Sequence, residues 1–122
     1  MKLHRSVTAG VNVFTAYGED YVVVSGERHA SSLIVLPDRV LPWTATSFAA
    51  LSEADFAPLA DLGLEIVLLG TGRRLRFPPP ALTRPLVEAR VGLEVMDLQA
   101  ACRTYNILVA EERKVAAALL FE

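Results

Sequence analysis

The sequence predicts an α/β fold of three layers, with a central mixed β-sheet, helices packed on it and an N-terminal β-hairpin. Three observations predict it. The chain has 122 residues, 52% of them hydrophobic and only 21% charged, enough for residues 1–122 to form one domain with a buried core. Apolar runs of strand length alternate with helix-like segments from Ser32 to Ala110, the pattern of parallel pairs joined by right-handed crossovers. Both ends of the chain carry strand-like segments that predict antiparallel hairpins.

At the N-terminal end, Val11 to Tyr17 alternates with period two. Gly18-Glu19-Asp20 reads as a turn, and Tyr21 to Val24 is aromatic and β-branched, so the pair predicts a hairpin. Gly26 to His29 reads as a polar turn. Ser32 to Leu36 is a continuous apolar run, as in a strand covered on both faces. Pro37, Asp38 and Pro42 are expected to close it.

Ser52 and Asp55 resemble a capping box, with Asp in place of the usual Glu. Phe56, Leu59 and Leu62 fall near one face of the helix that follows. Pro58 fits only in its first turns, and Gly63 suits its end. Leu64 to Leu69 predicts a strand ending in Gly70-Thr71-Gly72. Pro78, Pro79 and Pro80 announce a helix start. Pro85 belongs in a first turn, so a regular helix is expected from about Leu82 or Thr83 to before Gly92. Leu93 to Met96 is a short strand, Asp97 an N-cap, and Leu98 to Tyr105 a helix that Asn106 can stop in the left-handed conformation. Ile107 to Ala110 and Val115 to Phe121 then read as the strands of a C-terminal hairpin around Glu111-Glu112-Arg113. Ala116 to Ala118 would suit a helix as well, but the apolar flanks favour a strand.

Composition excludes several classes. The formal net charge of −2 argues against a nucleic-acid binder, which carries a basic face. No apolar run reaches the roughly 18 residues of a membrane span, so no direct membrane insertion is expected. Met1 to Thr8, with His4, carries charge but no apolar stretch after it, so it does not read as a secretory signal. The lone Cys102 cannot form an internal disulfide, makes a cysteine zinc site very improbable and fits a reducing, cytoplasmic location.

Candidate chemistry gathers where the parallel strands end. Ligands of open α/β sheets bind outside the carboxyl ends of the strands. Gly70, Thr71, Gly72 and Arg73, with Arg74 and Arg76, should meet Asp97 there, beside the loop near Asp38 and Trp43. A helix start and guanidinium groups favour an anion. The loop is no dinucleotide fingerprint, because Leu75 stands at the third glycine position, and no Gly-Lys-Ser/Thr follows. Arg103 and Asn106 read either as polar groups facing the same cleft or as a helix C-cap. Cys102 has no histidine near it in sequence and reads as a core residue. Glu65 and Glu94 are either paired carboxylates or, more often at such positions, acids at a sheet edge or partners of arginine. Trp43 fits a core position and an exposed anchor equally. No catalytic residue, metal site or cofactor is indicated.

The segments Glu65 to Gly72, Phe77 to Pro80, Gly92 to Asp97 and Ala100-Ala101-Cys102-Arg103-Thr104-Tyr105-Asn106 resemble an uncharacterised domain family, named after an archaeal Mth-type protein, over nearly the whole chain. The family also contains a mitochondrial complex I assembly factor. The resemblance implies a three-layer fold with a central mixed sheet, no established catalytic activity, and an assembly role through protein contacts. The sequence departs from the family pattern at Glu112, where glycine is usual, and at Pro85, inside the usual helix. The expected function is a non-catalytic, assembly-factor-like module with a protein partner. The alternative is a small-molecule or anion-binding protein using the cleft of Gly70, Thr71, Gly72, Arg73, Asp97, Arg103 and Asn106. A homodimer through the hairpin edge is a third arrangement the sequence allows.

Overall fold

The N-terminal alternation closes into a small antiparallel sheet of β1 (Phe14–Tyr17), β2 (Val22–Val24) and β3 (Glu27–His29), side by side in that order. The structure, a computed structural model, describes residues 10–122; Met1 to Thr8, with His4, lies outside the described residues. β3 replaces the expected turn. Only Ser25 and Gly26 turn, with φ of 52° and 82°, the pair of positive values that lets a two-residue hairpin match the strand twist. Pairing therefore resumes at once, Val24 opposite Glu27. Glu27 and Arg28 are exposed, which is why the strand reads as a loop.

The second sheet has five strands in the order β5-β4-β8-β6-β7. They are β4 (Leu33–Leu36), β5 (Arg39–Pro42), β6 (Ile66–Gly70), β7 (Gly92–Met96) and β8 (Val115–Leu119). β6 runs parallel to β7 and β8, while β4 runs antiparallel to β5 and β8, so the sheet is mixed as expected. β5 was not expected. Pro37 and Asp38 make a tight turn, and Pro42 pairs opposite Leu33 at the sheet edge, where a residue without an N–H is tolerated.

Two buried clusters make the core, one on each face of this sheet. On one face lie α1 (Glu53–Phe56), a 3₁₀ turn (Ala57–Asp61), a second 3₁₀ turn (Pro80–Thr83) and α2 (Arg84–Glu88). Pro58 and Pro85 both sit at first-turn positions, where their missing N–H costs nothing. The cap is as expected: the Asp55 carboxylate accepts from the Ser52 N–H at 2.9 Å and from the Thr44 hydroxyl at 2.6 Å. Trp43 is a core residue. It is buried, stands edge-to-face with Phe56, and its Nε1 donates to the Asp55 carbonyl at 2.8 Å.

On the other face lies α3 (Leu98–Ala110), with β1 and β2 over the same cluster. This corrects two expectations. Asn106 does not stop the helix, and Ile107 to Ala110 is its last turn rather than a strand. The spacing Leu98, Ala101, Cys102, Tyr105, Val109 continues one buried stripe, while Ile107 faces water. The helix ends one turn later in a Schellman motif, with Arg113 N–H donating to Leu108 O and Glu112 N–H to Val109 O, both at 2.9 Å. Glu112 holds the left-handed position, φ 63°, that glycine usually fills.

β8 is therefore no hairpin arm but the centre of the sheet. All of Val-Ala-Ala-Ala-Leu is buried, with Ala117 in one cluster and Ala116 and Ala118 in the other. The β6–β7 crossover moves outward over one face, and β7–β8 moves back over the other. The two crossovers consequently share one hand.

Candidate functional site

β6, β7 and β8 all end on the same side of the sheet, so the loops after Gly70, Met96 and Leu119 converge. Trp43, at the end of β5, lies on this side too, since Pro42 pairs with Leu33 and Leu33 with Leu119. Asp38 does not. It turns between β4 and β5 at the opposite end, beside Lys114 and Val115. The loop near Asp38 is thus removed from the candidate site by the antiparallel sense of β4.

The Gly-Thr-Gly loop is packed tightly. A side chain at Gly70 would come within 2.8 Å of Leu119 and 3.1 Å of Ala101. Gly72 has φ 92°, and a Cβ there would collide with the Glu122 carbonyl. That same carbonyl accepts from the Arg73 N–H at 2.8 Å. Thr71 is fully buried; its N–H donates to Met96 O at 2.9 Å, and its hydroxyl donates to Arg74 O at 2.6 Å and accepts from Arg76 N–H at 3.2 Å. The loop is a joint that fastens three strand ends. Thr71 is spent on holding it.

Next to the loop opens a cleft of about 260 Å³ lined by Glu19, Gly72, Arg73, Asp97, Leu98, Gln99 and Arg103. Gly72, Arg73, Asp97 and Arg103 thus share one cavity. The Asp97 carboxylate caps α3 by accepting from the Ala100 N–H at 2.9 Å, so the helix start already holds an anionic group. Arg73 reaches Asp20 at 4.0 Å. The Arg103 side chain is exposed and makes no hydrogen bond or ion pair among the described residues. Two guanidinium groups facing two carboxylates suit a ligand bearing both charges, or several hydroxyls, better than a bare phosphate. Glu19 and Gln99 carried no sequence signal; the first reaches the cleft only because the N-terminal sheet packs against α3.

Asn106 lies elsewhere. Its Oδ1 accepts from the Phe14 N–H at 2.9 Å and its Nδ2 donates to the Phe14 carbonyl at 2.8 Å. The amide acts as a strand partner for Phe14, next to the register shift between Phe14 and Ala16. Tyr105 supports the same place: its hydroxyl donates to Asn12 O at 3.0 Å, and its ring meets Phe14 edge-on at 5.1 Å.

The remaining candidates resolve as structural. Cys102 is fully buried, and desolvation pushes its thiol up to about 12, the reverse of what a nucleophile needs. Burial likewise raises the Tyr105 phenol. Glu65 pairs with Arg113 at 2.6 Å, and that hydrogen bond holds its carboxyl below the usual range. Glu94 pairs across from Leu68, three residues further along, so the two carboxylates form no acid–base pair. No group of three or more His, Cys, Asp or Glu is placed to hold a metal ion among the described residues. Nor is any of their helices long and apolar enough to cross a membrane.

Residues 14–120 match a family described as "Protein of unknown function (DUF498/DUF598)". NADH dehydrogenase (ubiquinone) 1 alpha subcomplex assembly factor 3 of Bos taurus is 32% identical over 107 residues, covering 86% of this chain and 58% of that protein. The chain therefore spans under two thirds of that relative's length. A protein from Bordetella parapertussis, known from its crystal structure, is 40% identical with a TM-score of 0.87 over 93% of this chain and 98% of that one. A Bordetella pertussis protein described as a Mth938-like domain is 36% identical with a TM-score of 0.76, covering 92% and 87% of the two chains.

Proposed function

Since the chain belongs to the family described as "Protein of unknown function (DUF498/DUF598)", we propose that it is a non-catalytic, assembly-factor-like module that works by binding another protein. One observation carries the reading: the 32% identity, over 86% of this chain, to a relative named as an assembly factor. The burial of Cys102 and the pairing of Glu65 with Arg113 support it, because both groups are committed to the fold. The proposal includes a cytoplasmic location, which a lone free thiol fits. The test is chemical cross-linking in native cells followed by affinity purification of the tagged chain. A protein enriched reproducibly over a tag-only control is expected. An empty result at saturating cross-linker would defeat the reading.

A second reading rests on the shared cleft of Gly72, Arg73, Asp97 and Arg103. It makes the protein a binder of a small polar molecule. Thermal-shift measurements of wild type and Arg103→Ala against nucleotides, dinucleotides, phosphates, amino acids and small carboxylates test it. A ligand at about 100 times its Kd stabilises the native state by about 2.7 kcal/mol, several degrees in a domain of this size. A shift lost in the variant supports the cleft. A flat panel removes it.

A further inference from the structure

The loop between β6 and α2 presents a surface that the fold does not explain. Leu75 is 51% exposed and Phe77 is 69% exposed, two of the four large apolar side chains left in water among the described residues. They stand in the run Arg73-Arg74-Leu75-Arg76-Phe77, which has three positive charges and no acid in a chain whose formal net charge is −2. Exposed apolar side chains on a slack loop can fold back onto the protein. These two are on a braced loop. Arg73 N–H is bonded to Glu122 O, and the buried Thr71 hydroxyl binds both Arg74 O and Arg76 N–H. The Arg76 guanidinium reaches Thr71 O and the Glu122 carboxylate at 3.3 Å each and lies 4.6 Å over the Phe48 ring. Beyond Phe77, three prolines fix the backbone as it enters the 3₁₀ turn. Arg76 is thus consumed by the loop, whereas Arg74 is exposed and makes no ion pair among the described residues.

We propose that Arg74, Leu75 and Phe77 form a docking surface for a protein segment that carries apolar anchors flanked by carboxylates. The inference rests on the partner-binding reading above and says where the partner sits. Arginine and aromatic side chains dominate binding hot spots, and a loop already fixed in place loses little entropy on association. Arg73 and Arg76 already face Asp20 and Glu122, so Arg74, without an ion pair among the described residues, is the charge that selects acidic flanks by complementarity.

The test is selection from a random displayed peptide library on the immobilised full chain. Enriched peptides are then measured by fluorescence anisotropy against wild type, Phe77→Ser, Arg74→Glu and, as a control on another exposed apolar residue, Val87→Ser. Far-UV circular dichroism checks that each variant is folded. Acidic peptides with apolar residues should be enriched. Phe77→Ser and Arg74→Glu should each weaken them by about tenfold or more, with Val87→Ser neutral and affinity falling as salt rises. Peptides that bind both variants as well as wild type would place the partner elsewhere, overturning this surface but leaving the partner reading standing. Failure to enrich any peptide overturns the surface alone; the cross-linking experiment then judges the partner reading. Co-sedimentation with vesicles of mixed phosphatidylglycerol and phosphatidylcholine provides the other arm. Binding there that Phe77→Ser abolishes would reassign the loop to a membrane surface and overturn the proposal.

Discussion

Tyr105 with Asn106, and Arg74 with Phe77, are two pairs of one polar and one aromatic residue put to opposite uses. The first pair turns inward. Tyr105 is buried, its hydroxyl is bonded to Asn12, and the Asn106 amide satisfies both backbone groups of Phe14. The second pair turns outward: Phe77 is exposed and Arg74 makes no ion pair among the described residues. A polar group saturated inside the molecule is committed to the fold. An aromatic side chain held in water by a braced loop is left free for a contact outside the fold. Variants at the first pair should therefore cost stability, and variants at the second should cost binding alone.

The largest expected effect is that of Tyr105→Ala. Removing a fully buried ring that packs on Phe14 should destabilise by about 3–5 kcal/mol in urea unfolding. A loss below about 1 kcal/mol would break the comparison at its inward side. Alkaline pH should act on the same region. The Cys102 thiol is raised from its ordinary 9.0 to about 12, and the Tyr105 phenol is raised as well. Both groups ionise more readily in the unfolded chain. Their stabilisation is thus complete below pH 9 and is lost as pH climbs from there toward 12, at up to about 1.4 kcal/mol per pH unit for each ionising group. Unfolding midpoints across that range measure it. Asn106→Ala leaves the Phe14 N–H and C=O without their partners and should cost about 1–3 kcal/mol. Faster amide exchange at Phe14 should accompany the loss.

Glu112→Gly should move the other way. It relieves a left-handed residue at the end of α3 and should stabilise by about 1 kcal/mol. The smallest effect belongs to the outward pair. Phe77→Ser and Arg74→Glu should each stay within about 0.5 kcal/mol of wild type, since neither side chain is buried.

The sequence made the sheet strands with apolar runs legible, β4 and β6 above all, because period and length suffice there. It also made both caps legible, since Ser52 with Asp55 and Asp97 bond within their own helix starts. Polar strands were opaque. Glu27–His29 pairs at a sheet edge with little apolar signal, and Arg39–Pro42 sets only Val40 and Leu41 between a charge and a proline, so they read as a turn and a closure. The end of α3 misled because Asn106 and β-branched residues mimic a stop followed by a strand; the buried stripe through Val109 decided otherwise. In the candidate site, the loop and Asp97 were placed by strand order alone. Asn106 was drawn to that cleft by its nearness to Arg103 in sequence, although its amide points to Phe14. Its true use depends on β1, more than ninety residues away, and no local pattern encodes that.

Protein binding through the outward-turned loop is the proposal on which these variants bear. The most direct measurement is quantitative cross-linking and affinity purification run side by side on wild type, Arg103→Ala and Phe77→Ser at matched abundance. The account predicts one enriched partner with wild type, the same recovery with Arg103→Ala, and recovery about tenfold lower with Phe77→Ser. Equal recovery with Phe77→Ser, or no protein enriched over the control with wild type, would contradict it.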